Sequence, residues 1–177
     1  ANHLMEVTFG NNTFVAVGYS GNIVRSTDNG TTWDNVTSPT ANSLFGVGFG
    51  NNTFVAVGSS GNIVRSTDNG STWDNATSPT ANNLLQVAFG NNTFVAGGTY
   101  GNIVTTDNGI NWANATSSTT IHLYGVTFGN DTFVTVGESG YIIRSTDNGT
   151  NWDNVTSPTT KNLYGVIFGN DTFVGVG

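Results

Sequence analysis

The sequence predicts an all-β fold that is built from tandem four-stranded antiparallel units. Three observations support this: an eight-residue motif occurs four times, a ten-residue segment occurs five times, and successive copies lie about 40 residues apart. No stretch keeps the 3.6-residue apolar period of a helix, and Gly, Asn and Thr are too frequent for helices. Because such a period is typical of a propeller blade, we expect a β-propeller.

The ten-residue segment sets the repeat. It reads FGNNTFVAVG from Phe9 and again from Phe49, and its later copies begin at Phe89, Phe128 and Phe168, so the steps are 40, 40, 39 and 40 residues. The short step falls in the third unit, where IVTTDNG stands for IVRSTDNG, which places the missing residue before the turn. By its length of 177 residues the chain forms one domain, 1–177, with repeats at 4–43, 44–83, 84–122 and 123–162 and a half repeat at 163–177.

Four strands can be assigned within one unit from alternation and turn residues. In the second unit they cover 44–49, 53–58, 63–67 and 72–77, and a Ser-Pro-Thr stretch then crosses to the next unit. A lone sheet of this kind leaves two apolar faces and two edges uncovered. We therefore expect the units to pack face to face around a ring.

The eight-residue motif lies between the third and fourth predicted strands. Its Asp-Asn-Gly core favours a tight turn, since Asp and Asn bond their own backbone and Gly adopts positive φ at little cost. The Asp carboxylate can accept backbone N–H groups inside the turn, and the Trp three residues after the Gly can return to the apolar face. The motif residues are Ser26, Asp28, Gly30, Trp33, Ser66, Asp68, Gly70, Trp73, Thr105, Asp107, Gly109, Trp112, Ser145, Asp147, Gly149 and Trp152.

This pattern, Ser/Thr-x-Asp-x-Gly-x-x-Trp, resembles the Asp-box (BNR) repeat, which is found between the third and fourth strands of β-propeller blades. The resemblance covers all four copies and, through the repeat around them, nearly the whole chain. It implies a propeller in which these turns are structural. Sialidases, photosystem assembly factors and sortilin-like receptors share the repeat, so the resemblance does not indicate one function.

The number of units is unusual. Counting from Leu4, the chain holds five copies of the first hairpin and four of the second, which predicts four complete blades and a half blade. The half blade has an unpaired outer edge unless something covers it. Three arrangements answer this: a longer array, missing strands supplied by another chain, or a half blade that closes a ring of about five blades. We expect self-association through the open half blade.

Composition limits the partners. Charged residues make up 8% of the chain and the net charge is −7, and four Lys plus Arg are too few for the phosphate contacts of nucleic acid or of an anionic membrane. No apolar run reaches the length of a spanning helix, so we expect no membrane insertion. The chain has no cysteine and begins at Ala1 without an initiator Met, and we expect an exported protein at an extracellular or cell-surface location.

No residue pattern predicts catalysis, a metal or a cofactor. Each Asp of the repeated motif has at most one nearby carboxylate, whereas calcium takes six to eight oxygens. His3 and His122 lie in no spacing typical of a metal site or a nucleophile with its base, and Glu6 and Glu138 do not form a glycosidase pair. The equivalent positions of Arg25, Arg65 and Arg144 do not resemble the arginine cluster of sialidases. We expect a non-enzymatic protein.

Two kinds of surface residue are candidates for modification or binding. Asn-x-Ser/Thr occurs twelve times, and the copies predicted on the outermost strands are the better glycan acceptors, while simple turn chemistry copied by duplication is the alternative. The units differ most in two loops, where aromatic residues are candidate ligand contacts. These residues are Asn35, Asn75, Asn114 and Asn154 for glycosylation and Tyr19 and Tyr100 for ligand contact.

Three functions from different classes fit these features. The leading hypothesis is an exported structural or interaction module, which acts as the protomer of a repeating assembly. The alternative is a lectin-like propeller that binds glycans with one shallow site per blade, for which the Trp series could supply stacking rings. A degenerate sialidase-like hydrolase comes third.

Overall fold

The computed structural model describes residues 3–177, and Ala1 and Asn2 lie outside the described part. It confirms the predicted fold: four antiparallel sheets of four strands, each with its strands in chain order, and a two-stranded sheet. Among residues 3–177 no helix is long and apolar enough to cross a bilayer. The strands are β1 Leu4–Gly10, β2 Thr13–Gly18, β3 Ile23–Ser26 and β4 Asp34–Val36 in blade 1, β5 Leu44–Gly50, β6 Thr53–Gly58, β7 Ile63–Ser66 and β8 Asp74–Asn75 in blade 2, β9 Leu84–Gly90, β10 Thr93–Gly98, β11 Ile103–Thr106 and β12 Ala113–Asn114 in blade 3, β13 Leu123–Gly129, β14 Thr132–Gly137, β15 Ile142–Ser145 and β16 Asp153–Val155 in blade 4, and β17 Gly165–Gly169 and β18 Thr172–Val176 in the half blade.

The first two strands of every unit are joined by a two-residue turn. In blade 1 Gly10 pairs with Thr13, and the intervening Asn11 and Asn12 have φ of 47° and 56°. Positive φ at both central residues is the geometry that suits the right-handed twist of a hairpin, and Asn and Asp tolerate it best. The Asn-Asn and Asn-Asp pairs of the repeat therefore fix the register of each first hairpin.

Each blade has two apolar faces, which we call backward and forward. The backward face of blade 2 carries the larger side chains, and it packs on the forward face of blade 1 in one buried cluster. The same arrangement recurs between blades 2 and 3 and between blades 3 and 4. The residues of the first cluster are Val15, Val17, Ile23 and Val36 of blade 1 and Leu44, Val47, Phe49, Phe54, Ala56, Val64 and Trp73 of blade 2.

Glycines allow the first strands of adjacent blades to approach closely. A Cβ added to Gly50 would overlap the ring of Phe89, and one added to Gly90 would overlap the ring of Phe128. In the half blade, which no blade covers within residues 3–177, a Cβ at Gly169 would meet no atom within 4 Å. The repeated Phe-Gly pair is therefore a packing device between neighbours.

The two terminal faces of the array are open. On the backward face of blade 1 the large side chains are exposed: Leu4, Val7, Phe9 and Trp33. On the forward face of the half blade Ile167, Val174 and Val176 are also exposed. In residues 3–177 the half blade thus does not cover blade 1, and both faces remain available.

The two rims of the array differ in charge. The loop rim carries the short turns between second and third strands and the crossovers between blades, whereas the turn rim carries the other turns. Glu138 and Lys161 belong to loop-rim segments. All nine aspartates lie in turn-rim turns or at the turn-rim end of fourth strands: Asp28, Asp34, Asp68, Asp74, Asp107, Asp131, Asp147, Asp153 and Asp171.

Candidate functional site

The repeated turn between third and fourth strands, which we call the Asp-Gly-Trp turn, is held by its own side chains. In blade 2 Ser66 Oγ donates to Asp68 Oδ1 (2.8 Å) and accepts from the Gly70 N–H (2.9 Å). The Thr72 N–H and hydroxyl donate to the two Asp68 oxygens at 2.9 and 2.7 Å. These hydrogen bonds lower the pKa of Asp68 to about 2, and the same kind of network lowers the pKa of Asp28 and Asp147 to about 2.

The third copy differs from the sequence prediction. The sequence predicted Thr105 and Asp107 as the motif residues of this turn, but the structure places Thr106 and Asn108 there. The Thr106 hydroxyl donates to the Asn108 amide oxygen and accepts from the Gly109 N–H. Asn108 Oδ1 accepts from the N–H groups of Ile110 and Asn111 at 2.9 and 3.1 Å. The missing residue is therefore the left-handed Asn of the other turns, and its loss brings Asn108 into the position of the carboxylate.

The Trp of each turn returns to the blade. The Nε1–H of Trp73 donates to the Gly70 carbonyl at 3.1 Å, and the equivalent bond occurs in the other three copies. Trp73, Trp112 and Trp152 are buried at 4–7% exposure, whereas Trp33, on the open face of blade 1, is 43% exposed. The four turns lie in separate blades and do not form a shared pocket, and within residues 3–177 no three His, Asp or Glu side chains cluster as metal ligands.

Two arginines connect the turn of one blade to the third strand of the blade before it. Arg25 donates to the Asn69 carbonyl at 3.3 Å and to Ser71, and Arg65 donates to the Asn108 carbonyl at 3.4 Å. The third arginine, Arg144, holds the same position in blade 4 and is exposed. Blade 4 is followed by the half blade, and residues 163–177 contain no such turn.

One carboxylate joins three first strands. Glu6 accepts from the Val47 N–H at 2.7 Å and from Gln86 Nε2 at 2.5 Å. Blade 2 has Gly46 at this position, and an added Cβ there would meet the Gln86 backbone and side chain. Burial raises the pKa of Glu6, while the bonds from Gln86 and Val47 act in the opposite direction. Both carboxylate oxygens are engaged in holding blades 1, 2 and 3 together.

Four rings form a continuous strip on the loop rim of blades 3 and 4 and the half blade. Centroid separations are 5.0 Å from Tyr100 to His122, 6.4 Å from His122 to Tyr124 and 5.2 Å from Tyr124 to Tyr164. Tyr100 and Tyr164 are 65% and 60% exposed. We call these four residues the aromatic strip.

Tyr100 occupies an unfavourable backbone conformation within the strip. Its φ is +58°, and Ser20, Ser60 and Ser139 hold the equivalent positions in the other blades. A bulky side chain is rare at such φ. The Tyr100 N–H donates to His122 Nδ1 at 3.0 Å, which helps to hold this turn. Burial and the nearby Glu138 charge raise the pKa of Tyr124.

The remaining candidates lie apart from the strip. Tyr19, the other predicted ligand contact, is in blade 1 and packs edge-on against His3 at 5.9 Å. Within the aromatic strip, the sequence predicted only Tyr100 as a ligand contact. Tyr124 and Tyr164 follow the conserved-in-repeat Leu that opens each unit, and the variation at this position between units was the signal that could have identified them. The four predicted glycan acceptors are exposed on fourth strands: Asn35, Asn75, Asn114 and Asn154.

Comparison with known proteins gives a family and a fold. The family described as the DUF6242 beta propeller domain matches residues 47–168. A structure of YCF48 bound to a D1 peptide has 20% identity and a TM-score of 0.75 over 96% of this chain and 58% of that one. YCF48 from Cyanidioschyzon merolae has 20% identity and a TM-score of 0.74 over 97% of this chain and 62% of that one.

The same fold also occurs in an enzyme. An ancestral GH74 enzyme has 18% identity and a TM-score of 0.73 over 94% of this chain and 28% of that one. No curated protein matches the chain. The chain thus spans about three fifths of the two YCF48 chains, and at these identities the likeness concerns the fold alone.

Proposed function

The chain belongs to the family of the DUF6242 β-propeller domain, and from this premise we propose that it is a non-enzymatic interaction module. Its two open blade faces associate head to tail, and the product is a repeating extracellular assembly. The observation that carries this proposal is that the open faces are the two halves of an interface the molecule already forms three times.

The backward face of blade 1 presents Leu4, Val7 and Phe9 at the positions by which Leu44, Val47 and Phe49 of blade 2 pack on blade 1. The forward face of the half blade presents Val174 and Val176 at the positions of the buried Val55 and Val57 in blade 2. Burying one such side chain fully contributes about 1.5–3 kcal/mol. Since a forward face differs from a backward face, the contact is heterologous and gives rings or filaments.

The non-enzymatic part is supported by how the acidic groups are used. The carboxylates of Asp28, Asp68 and Asp147 are engaged in their own turns, and Glu6 binds two neighbouring blades. The extracellular part is supported by exposed sequons on the outermost strands, with Asn35 and Asn154 as examples. We also assign the turns to the Asp-box repeat, an assignment supported by the shared Ser, Asp and Trp hydrogen bonds of blades 1, 2 and 4.

Light scattering across a concentration series of the purified chain tests the assembly. We expect the average mass to rise with concentration, and we expect Val7→Lys or Val176→Lys to keep the chain at 18.5 kDa. Both positions are exposed, so the substitutions leave the fold intact. Tyr100→Ser, at a more exposed aromatic residue away from both faces, is the matched control and leaves assembly unchanged. Equal assembly of Val7→Lys and the parent chain contradicts the proposal.

A second candidate function is glycan binding, and the aromatic strip favours it. Phenol and imidazole rings offer flat apolar faces with polar edges. The strip spans blades 3 and 4 and the half blade, so this site differs from one shallow site in every blade. A glycan array with the parent chain, Tyr164→Ala and the control Tyr19→Ser tests it: hits that Tyr164→Ala abolishes and Tyr19→Ser keeps support binding at the strip.

A further inference from the structure

The outer part of the forward face of blade 4 lacks the cover that the other blades have. In blades 1 to 3 a third-strand Ile on this face is 1–2% exposed and lies in one cluster with the Trp of the next blade. In blade 4 the equivalent Ile142 is only partly buried, and the fourth-strand Val155 is 37% exposed. No Asp-Gly-Trp turn follows blade 4 in residues 3–177, so the indole is missing here.

A groove of about 330 Å³ occupies this place. Its lining includes Tyr141, Ile142, Asn154, Val155, Thr156 and Ser157. Its apolar lining residues are Ile142 and Val155. Val36, Ala76 and Ala115 hold the position of Val155 in blades 1, 2 and 3, and each packs against the cluster that contains the Trp of the next blade. The two apolar residues of the groove, Ile142 and Val155, therefore hold positions that cluster with an indole at each complete interface.

Polar groups around the groove match those of the complete interfaces. The Thr77 N–H donates to the Ile110 carbonyl at 3.2 Å, and the Thr116 N–H donates to the Thr150 carbonyl at 3.1 Å, each bond reaching the turn of the next blade. Thr156 holds the equivalent position in blade 4 and lines the groove. Arg144 holds the position from which Arg25 and Arg65 donate to the next turn.

The half blade supplies the remaining requirement, a free strand edge. β18 pairs with β17, and no third strand lies beside it within residues 3–177. In blade 2 the equivalent strand β6 pairs with β7 from Phe54 to Val57. Strand addition to such an edge provides main-chain hydrogen bonds, and side-chain pockets then select the sequence.

We propose that this site captures a β-hairpin of the repeat's own chemistry from another polypeptide segment. The hairpin adds a third strand to β18, places its Trp in the groove on Ile142 and Val155, and presents its turn carbonyl to Arg144. The sequence that fits is an apolar-alternating strand, an Asp-Gly-Trp turn and a short fourth strand, as in residues 22–36. This inference names the partner of the open half blade, and so it rests on the proposed function.

The test uses the full chain and a labelled synthetic peptide of residues 22–36, with fluorescence anisotropy as the readout. We expect saturable 1:1 binding and a higher Tm of the protein with peptide. A peptide with Trp33→Ala binds at least about tenfold more weakly, because a buried Trp is a typical hot spot. In the protein, Val155→Lys weakens binding by a similar factor, and Ile110→Lys, at a comparably exposed residue of blade 3, leaves it unchanged.

The outcomes separate this inference from the proposed assembly. Absence of saturable binding overturns the inference, and so does an affinity that neither Trp33→Ala nor Val155→Lys changes. Because light scattering is measured without the peptide, a chain that assembles but does not bind the peptide retains the proposed function and loses only the hairpin site. A chain that binds the peptide but stays monomeric retains the hairpin site and loses the proposed assembly.

Discussion

Blade 1 and blade 2 carry almost the same residues, and their difference comes from their neighbours. The Asp-Gly-Trp turn of blade 1 makes the hydrogen bonds of the turn in blade 2, with Ser26 to Asp28 and Ser66 to Asp68 both at 2.8 Å. Trp33 is nevertheless 43% exposed while Trp73 is 6% exposed. The turn is thus a local structure, whereas the burial of its indole depends on a preceding blade.

The largest expected effect compares a covered indole with the uncovered one. Trp112→Ala removes a side chain from the cluster between blades 2 and 3, and we expect it to lower the free energy of unfolding by about 4 kcal/mol. Trp33→Ala removes a side chain that solvent already reaches, and we expect less than half of that loss. Urea denaturation of both variants measures the two values, and equal losses contradict this account of the open face.

The next effect compares two glycines of the same repeat position. Gly90→Ala places a methyl group against the Phe128 ring of the next blade, and overpacking of this kind costs about 3 kcal/mol. Gly169→Ala meets no atom within 4 Å, and we expect a change within about 0.5 kcal/mol. Thermal and urea unfolding check the pair. The measurement uses chain dilute enough to be monomeric, because head-to-tail assembly would bring the blade 1 of another copy onto Gly169. A destabilised Gly169→Ala variant at that dilution contradicts the open half blade.

A smaller effect sharpens the comparison of the internal interfaces. Thr135 is buried in blade 4 where blades 1 to 3 have Ala, and its hydroxyl has no hydrogen-bond partner. Facing it, Gly97 replaces the Val of the other second strands and leaves room for the extra atoms. Thr135→Val keeps the volume and removes the unpaired hydroxyl, so we expect a stabilisation of about 1 kcal/mol by urea denaturation. A destabilised variant would mean that the hydroxyl is hydrogen-bonded in solution.

The smallest expected effect is a pH dependence of the stability that the Asp-Gly-Trp carboxylates provide. The pKa of Asp68 falls from 3.8 to about 2 on folding, so its contribution to stability is present above about pH 4 and is lost as the pH falls through 2. Blade 3 uses the Asn108 amide at this place, and an amide does not titrate in this pH range. Asp68→Asn therefore lowers the urea midpoint at pH 6 and changes it less at pH 2.5. Glu6, whose pKa is raised, acts in the opposite sense as the pH rises.

The sequence was sufficient for the fold because the repeat encodes it locally. Asn11 and Asn12 fix the hairpin register, and Asp68 and Gly70 fix the second turn, all within a few residues of one another. In the Asp-Gly-Trp turn of blade 3, the prediction of Thr105 as the hydroxyl residue was wrong, because Thr105 and Thr106 are adjacent and identical in type. Only the geometry shows that Thr106 reaches the Gly109 N–H.

Contacts between distant repeats could not be predicted in this way. Glu6 and Gln86 are 80 residues apart in sequence, and nothing in either segment indicates that they meet. The rings of Tyr100, His122, Tyr124 and Tyr164 come from three units and adjoin only once the blades are stacked. Variation between the repeats indicated which positions could carry a binding residue, but only the packing of the blades brings the four rings next to one another.

The most direct test of the account mixes two variants that each lose one open face. Val7→Lys keeps the forward face of the half blade, and Val176→Lys keeps the backward face of blade 1. Sedimentation velocity should find each variant at 18.5 kDa alone and find their mixture forming a dimer of twice that mass. A mixture that stays monomeric, or a dimer formed by either variant alone, contradicts head-to-tail association of the two open blade faces.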